Sequence, residues 1–286
     1  MGIFAPFSNS IRLLKLGQDD MGAKRETRTL RGGDVIDVRE NFDGNYGAPG
    51  VPRLKKSKPT KEQMVQVNLR NKANLCRLRM LAYMNYGDYF GTWTYKKSER
   101  PPDMNTALKH FRDAMRKIRP FYAKSQYECF WFRNIEQGTK GAWHIHFVIK
   151  NIPGAAEVIK KAWKHGGTYI VEIRQSELFD EDFTQLANYM TKNENTIEYK
   201  EDGTPAKPRL KTANYWTSKN MPLPEPKKDK LVRWKKEVKP KKGYYIINLH
   251  EGQNPITGLP YRHYTMIRIR GDDEDVRSEY IFGNLA

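Results

Sequence analysis

The stretch Tyr127-Glu-Cys-Phe-Trp-Phe-Arg-Asn-Ile-Glu136, then Gln137-Gly-Thr-Lys-Gly141, then Ala142-Trp-His-Ile-His-Phe-Val-Ile-Lys150 has the form of a β-hairpin. Its flanks are rich in aromatic and β-branched residues, and the five-residue link holds two glycines. Strand alternation puts Trp143, Ile145 and Phe147 on one face and His144 and His146 on the other. The apolar face has a core to join. The two imidazoles lack that explanation, and they are two of only six histidines in the chain. A His-X-His alone reads equally well as two partly exposed strand histidines. Glu136, which ends the preceding strand, changes the balance. With Glu136 opposite Ala142, the carboxylate shares a face with both histidines, and diagonal cross-strand neighbours lie only ~7–8 Å apart. Two nitrogens and a carboxylate oxygen with open positions suit a catalytic divalent ion. The simpler reading of Glu136 is a polar residue before a turn.

The neighbouring elements follow from this hairpin. Thr60 and Gln63 have capping-box spacing, and apolar residues recur from Val65 to Tyr83, so a helix is expected over 61–84. Phe90-Gly-Thr-Trp-Thr-Tyr95 is a strand, with Thr92 and Thr94 on one face, where packing is expected ahead of the alternative that they support the site. Pro101-Pro-Asp103 opens a helix whose face is Leu108, Phe111, Met115 and Ile118, and Pro120 is expected to end it. A helix from Pro153, a strand over 168–173 and a helix from about Glu181 to Lys192 complete the block. The order β-α-β-β-α-β-α predicts an α+β fold, a central antiparallel sheet with packed helices, over residues 60–200.

The flanks differ in character. Residues 1–58 hold eight of the 21 glycines and lack strong periodicity, so a loosely ordered extension is expected, with a short strand at Asp34 to Val38. Residues 201–242 read as a basic, extended arm. Counted from Lys200, the segment has 14 Lys/Arg against five Asp/Glu, a net of +9, and six of the 16 prolines. Residues 243–286 read as a hairpin, with strands Tyr244 to Leu249 and Tyr264 to Ile269, and a solvated acidic tail.

Composition bounds the function. The 286 residues carry 51 Lys/Arg against 33 Asp/Glu, a net of +18, which points to a polyanion and first of all to nucleic acid. Two cysteines, Cys76 and Cys129, exclude a disulfide scaffold and favour a reducing, cytoplasmic setting. No apolar run approaches the ~20 residues of a membrane span, so no membrane partner is expected.

The last helix holds Tyr189-Met-Thr-Lys192. Phe183, Leu186, Ala187 and Met190 form its buried stripe, which leaves Tyr189 at the edge and Lys192 one turn on, where phenol and ammonium can meet. Alone, this is an ordinary boundary tyrosine beside a solvated lysine. In order, however, Phe90 to Tyr95, His144-Ile-His146 and Tyr189-Met-Thr-Lys192 resemble the three motifs of the HUH-endonuclease family. More narrowly the chain is similar to rolling-circle replication initiators of the single-tyrosine type, akin to filamentous-phage gene II and plasmid Rep proteins. Tyr215-Trp-Thr-Ser-Lys-Asn220 resembles the Ser-Arg/Lys-Asn segment that follows the tyrosine helix in such proteins. Position 193 is Asn, so there is no second tyrosine four residues after Tyr189, and Tyr199 is given no role.

The resemblance implies a metal, Mg2+ or Mn2+, on Glu136, His144 and His146, and Tyr189 as a nucleophile that leaves a 5′-phosphotyrosyl link. A free phenol, with a pKa near ~10, is a poor nucleophile at neutral pH, and Lys192 is expected to favour the phenolate or steady the phosphate. The expected partners are single-stranded or origin DNA, held by the basic arm and by stacking on Tyr215, Trp216 and Trp234, and a host helicase, since no Walker A motif occurs. A relaxase or an HUH transposase would share the chemistry. A non-enzymatic basic nucleic-acid-binding protein would need neither the His-X-His nor Glu136.

Overall fold

The computed structural model describes residues 23–42, 60–174, 182–231, 234–253 and 259–269. The chain divides into two compact units, one of residues 58–223 and one of residues 1–57 with 224–286. Each is built on a five-stranded sheet in which every pairing is antiparallel. The α+β architecture expected from the sequence is what forms. No helix among the described residues is long and apolar enough to cross a membrane.

The unit that holds residues 23–42 and 227–268 corrects two expectations. Residues 23–42 are not loosely ordered: β1 (Ala23–Leu30) and β2 (Val35–Phe42) form a hairpin. Of the arm, β8 (Lys227–Leu231) is a strand on the open edge of β1. The expected C-terminal hairpin forms as β9 (Tyr244–Gln253) and β10 (Pro260–Arg268), and β10 pairs with β2. The segments at the two ends of the chain therefore share one sheet, over a small core of Ile36, Val38, Tyr244, Tyr264 and Met266. Glu40 is buried and receives Arg25 and Arg262. The acidic stretch from Asp272 lies outside the described residues.

In the central unit, α1 (Lys61–Tyr83) starts at a complete capping box. Thr60 Oγ1 accepts from Gln63 N–H, and Gln63 Oε1 accepts from Thr60 N–H. β3 (Tyr89–Thr94) follows, then α2 (Met104–Lys124), capped by Asp103. Pro120 does not end α2. A proline there forfeits its own N–H bond, but one turn more buries Tyr122 completely and lets its hydroxyl donate to the Lys150 carbonyl. Next come β4 (Trp131–Gly138), β5 (Trp143–Ile149), α3 (Ala155–Ala162), β6 (Thr168–Glu172) and α4 (Thr184–Thr191). β7 (Leu210–Thr217), expected within the extended arm, instead extends the sheet, whose order is β6-β3-β5-β4-β7.

The two faces of this sheet have different roles. Trp93, Ile135, Trp143, Ile145 and Phe147 point to one side and pack with Phe111, Met115, Ile118 and Ile159 of α2 and α3. Gly91 serves that layer: a Cβ there would lie 2.2 Å from the Phe147 ring, so only glycine lets the two strands close. On the opposite side α1 packs against α4. Arg77 of α1 reaches Asp182 at 3.3 Å, both side chains buried, and Asp182 also accepts the Thr184 N–H at 3.0 Å as α4 starts. One carboxylate thus ties the start of α4 to α1 and accepts the first N–H of that helix.

Candidate active site

Four elements converge on the sheet face away from α2. β5 supplies His144 and His146, β4 supplies Asn134 and Glu136, β3 supplies Phe90 and Thr92, and α4 supplies Tyr189, with Lys192 just past its end. The hairpin register differs from the expected one. Glu136 faces His144 rather than Ala142, and Gly138 N–H bonds to the Ala142 carbonyl across a tighter turn. A two-residue shift preserves side-chain parity, so Glu136 still shares the histidine face and moves closer to it.

His146 is held from both sides. Its Nε2 lies 2.9 Å from Glu136 Oε1, and its Nδ1 lies 3.0 Å from Thr92 Oγ1. A carboxylate only accepts, so Nε2 carries a proton toward Glu136, while Nδ1 faces the Thr92 hydroxyl. The Phe90 ring lies nearly parallel to the imidazole at 6.1 Å and meets the Tyr189 ring edge-on at 5.8 Å. The Tyr189 hydroxyl sits 3.2 Å from His146 Nε2. Lys192 Nζ lies 4.0 Å from the centre of the Tyr189 ring and 3.3 Å from Glu136 Oε2. Asn134 fixes the end of α4 by donating to the Lys192 carbonyl at 3.0 Å. Phenol, imidazole, carboxylate and ammonium thus meet across roughly one hydrogen-bond length each.

Residues 88–194 match the family model of the Replication-associated protein ORF2/G2P family.

The match begins at the residue before β3 and ends two residues past Lys192, so it encloses every side chain just described. It bears out the resemblance to rolling-circle initiators, and it gives the chain a replication-associated role. No curated protein and no solved structure matches the chain.

Electrostatics within the ORF2/G2P segment follow from burial. Burial raises the Glu136 carboxyl, but the hydrogen bond and charge of His146, then the charge of Lys192, outweigh it and hold the group below its ordinary value. Burial first, and the neighbouring His146 next, keep His144 below the ordinary imidazole value. Burial, reinforced by the Glu136 charge, pushes the Tyr189 phenol up to about 12. Lys192 therefore does not, in this arrangement, yield a phenolate; it lies over the ring face, and Glu136 draws its charge.

Several residues differ from their expected parts. Thr92 is a partner of the site histidine and not mere packing, whereas Thr94 turns to the Gly167 carbonyl at 3.5 Å. Glu136, His144 and His146 share a face, but among the described residues no three His, Cys, Asp or Glu side chains converge on one point as they stand. The ring centres of His144 and His146 are 6.2 Å apart, and Glu136 contacts His146 directly. Tyr215 is not open for stacking: its hydroxyl is buried, and Lys72 lies over its ring. Trp234 is stacked on Phe42 with Arg262 over it, so it too is engaged. Trp216 remains 57% exposed. Ser218 and Asn220 join the ends of β7 and β4. Ser218 exchanges bonds with the Trp131 backbone, and Asn220 donates to Glu128. Asn134 carried no sequence signal beyond its parity with Glu136. Cys76 and Cys129 are free.

Proposed function

We propose that this replication-associated protein nicks and rejoins single-stranded DNA at an origin through a covalent link to Tyr189. The observation that carries the proposal is the Tyr189 hydroxyl at 3.2 Å from His146, with Glu136 and Lys192 beside it. In the forward step the phenol oxygen bonds to phosphorus and the bond from phosphorus to the 3′-oxygen breaks. The phenol proton leaves as the attack proceeds, and the departing oxygen takes up a proton to become a 3′-hydroxyl. Reversal by that hydroxyl, or by another, rejoins the strand. Because the link keeps a phosphoester, no energy input is needed.

Donor chemistry supports a divalent cation, Mg2+ or Mn2+, on Glu136, His144 and His146. Glu136 Oε2 is buried with Lys192 Nζ at 3.3 Å beside it, so acceptor capacity beyond that one contact is left over. When bound, such an ion supplies neutralisation of the charge that develops on the scissile phosphate. For His146 to ligate through Nε2, the proton on that nitrogen, which now points to Glu136, would have to leave it. Lys192 and that N–H then stand in for cation charge on the carboxylate. Lys192, released from Glu136, would steady the phosphate oxygens one turn from Tyr189. The Thr92 hydroxyl keeps the His146 ring from rotating.

The test is incubation of the full chain with a single-stranded oligonucleotide library and Mg2+ or Mn2+, read on a denaturing gel. A slower-migrating protein–DNA band that forms with metal and not with chelator supports the reading. Metal-dependent cutting without any covalent band would refute the tyrosine link.

A further inference from the structure

Behind the site, on the sheet face that carries α2, lies a groove of roughly 980 Å³. It exists because β7 extends the sheet past the helix. α2 covers β3, β5 and β4, while among the described residues no helix lies over the rear side of β7, so the strip between α2 and β7 stays open. Arg133 of β4 stands directly opposite Trp216 of β7, and both point into this groove.

The groove's lining is cationic and aromatic. Arg133 is 6% exposed, and among the described residues no carboxylate pairs with it. Its Nη1 donates to the Asn214 carbonyl and side chain at 2.9 and 3.0 Å, and its remaining N–H groups have no protein acceptor among the described residues. Burial first, then the charge of nearby Arg112, hold its guanidinium down to about 10, so a positive group is kept where charge is disfavoured. Arg119 lies over the Trp131 ring at 5.9 Å, and Lys219 stands at the mouth. The one carboxylate on the lining, Glu128, is taken by Asn220 at 2.5 Å. Trp216, 57% exposed, and Tyr127, 47% exposed, offer ring faces to solvent. A buried cation without a counter-ion, with surface cations and free indole beside it, is complementary to a ligand that carries both an anion and a flat ring.

We infer that this rear groove binds a second stretch of single-stranded nucleic acid, phosphates on Arg112, Arg119 and Arg133 and a base stacked on Trp216. The inference goes beyond the nicking reading, since the groove opens on the opposite side of the sheet from Tyr189. A strand held there lies outside the reacting site and adds affinity without touching the cleavage groups.

The experiment uses the full chain in chelator, so that no cleavage intervenes, titrated with a fluorescent oligothymidylate. Trp216 and Arg119 are solvent-facing, so Trp216→Ala and Arg119→Gln leave the core intact. Trp216→Ala is expected to weaken binding roughly tenfold, the size of one lost base stack. Arg119→Gln is expected to reduce the slope of log K against log salt by about 0.7. An oligonucleotide bearing 5-bromodeoxyuridine should cross-link to the peptide that contains Trp216. Unchanged affinity in both variants, or cross-links confined to the His144 and His146 face, overturns the inference. So does equal competition by thymidine monophosphate, which would make the groove a mononucleotide site, or Trp216-dependent binding of polyglutamate, which would make it a protein-docking site. Because no cleavage is read, failure here leaves the nicking proposal standing, and absence of nicking leaves this binding result interpretable.

Discussion

Arg77→Met removes one side of a buried ion pair whose other side also accepts the first N–H of the tyrosine helix. The two side chains are 5% and 4% exposed, so solvent does not screen the loss. Methionine fills much of the arginine volume, which separates the charge effect from a cavity. Asp182 would be left ionised, buried and short of a donor, and breaking one half of such a pair costs about 3–5 kcal/mol. Thr184 still donates to Asp182, which keeps the cost toward the lower end. The consequence for function is specific. α4 loses its tie to α1, so Tyr189 is no longer held against His146 although every reacting group is unchanged. Urea unfolding of the unit formed by residues 58–223, followed by tryptophan fluorescence, measures the stability term, and adduct yield below the transition measures the positional term. Arg77→Met with Asp182→Asn should recover part of the stability, because the stranded charge is gone. A loss under about 1 kcal/mol in the single variant, with full adduct yield, would refute the argument that this pair positions the tyrosine.

Other outcomes follow from single contacts. Gly91→Ala puts a methyl 2.2 Å from the buried Phe147 ring, and overpacking of this kind costs about 1–3 kcal/mol, visible as a lower thermal midpoint. The proposed metal site would need His144 neutral, and its pKa is lowered, so protonation of His144 should not weaken metal affinity, followed by calorimetry, until pH falls below the ordinary imidazole value of about 6.5. An onset of loss above 6.5 would contradict that direction. Lys235, Lys236 and Lys239 are exposed, and changing all three to Gln should lower the salt slope of single-strand binding by up to about 2 if each neutralises one phosphate.

Local pattern was legible where a periodic apolar face coincides with the element that makes it. α1 shows its capping box, β5 shows alternation around His144 and His146, and α4 shows a stripe with Tyr189 at its edge, 38% exposed. Partners distant in sequence were not legible. β1 buries only Ala23 and Leu30, and its middle is charged, so no alternation marks it as a strand; its stability comes from pairing with β2 and with β8, some 200 residues on. β7 and β8 were hidden by basic and proline-rich composition, which describes solvation and says nothing of pairing. The histidine–glutamate face was readable from parity alone, because a register error of two residues leaves parity unchanged. Thr92 was undervalued because its partner, His146, comes from a strand 54 residues later. The deletion of the whole basic segment that its sequence invites would remove two sheet strands, which is why the charge test above is confined to exposed lysines.

The central claim is that the Tyr189 hydroxyl becomes the point of covalent attachment. Peptide mapping by mass spectrometry of the adduct formed with single-stranded DNA and Mn2+, run on the wild-type chain and on Tyr189→Phe, tests it most directly. The account predicts a nucleotide on the peptide that contains Tyr189 and no adduct from the phenylalanine variant, which should fold and bind DNA as before. A nucleotide on Tyr199 or any other tyrosine, or an adduct that persists in Tyr189→Phe, would contradict it.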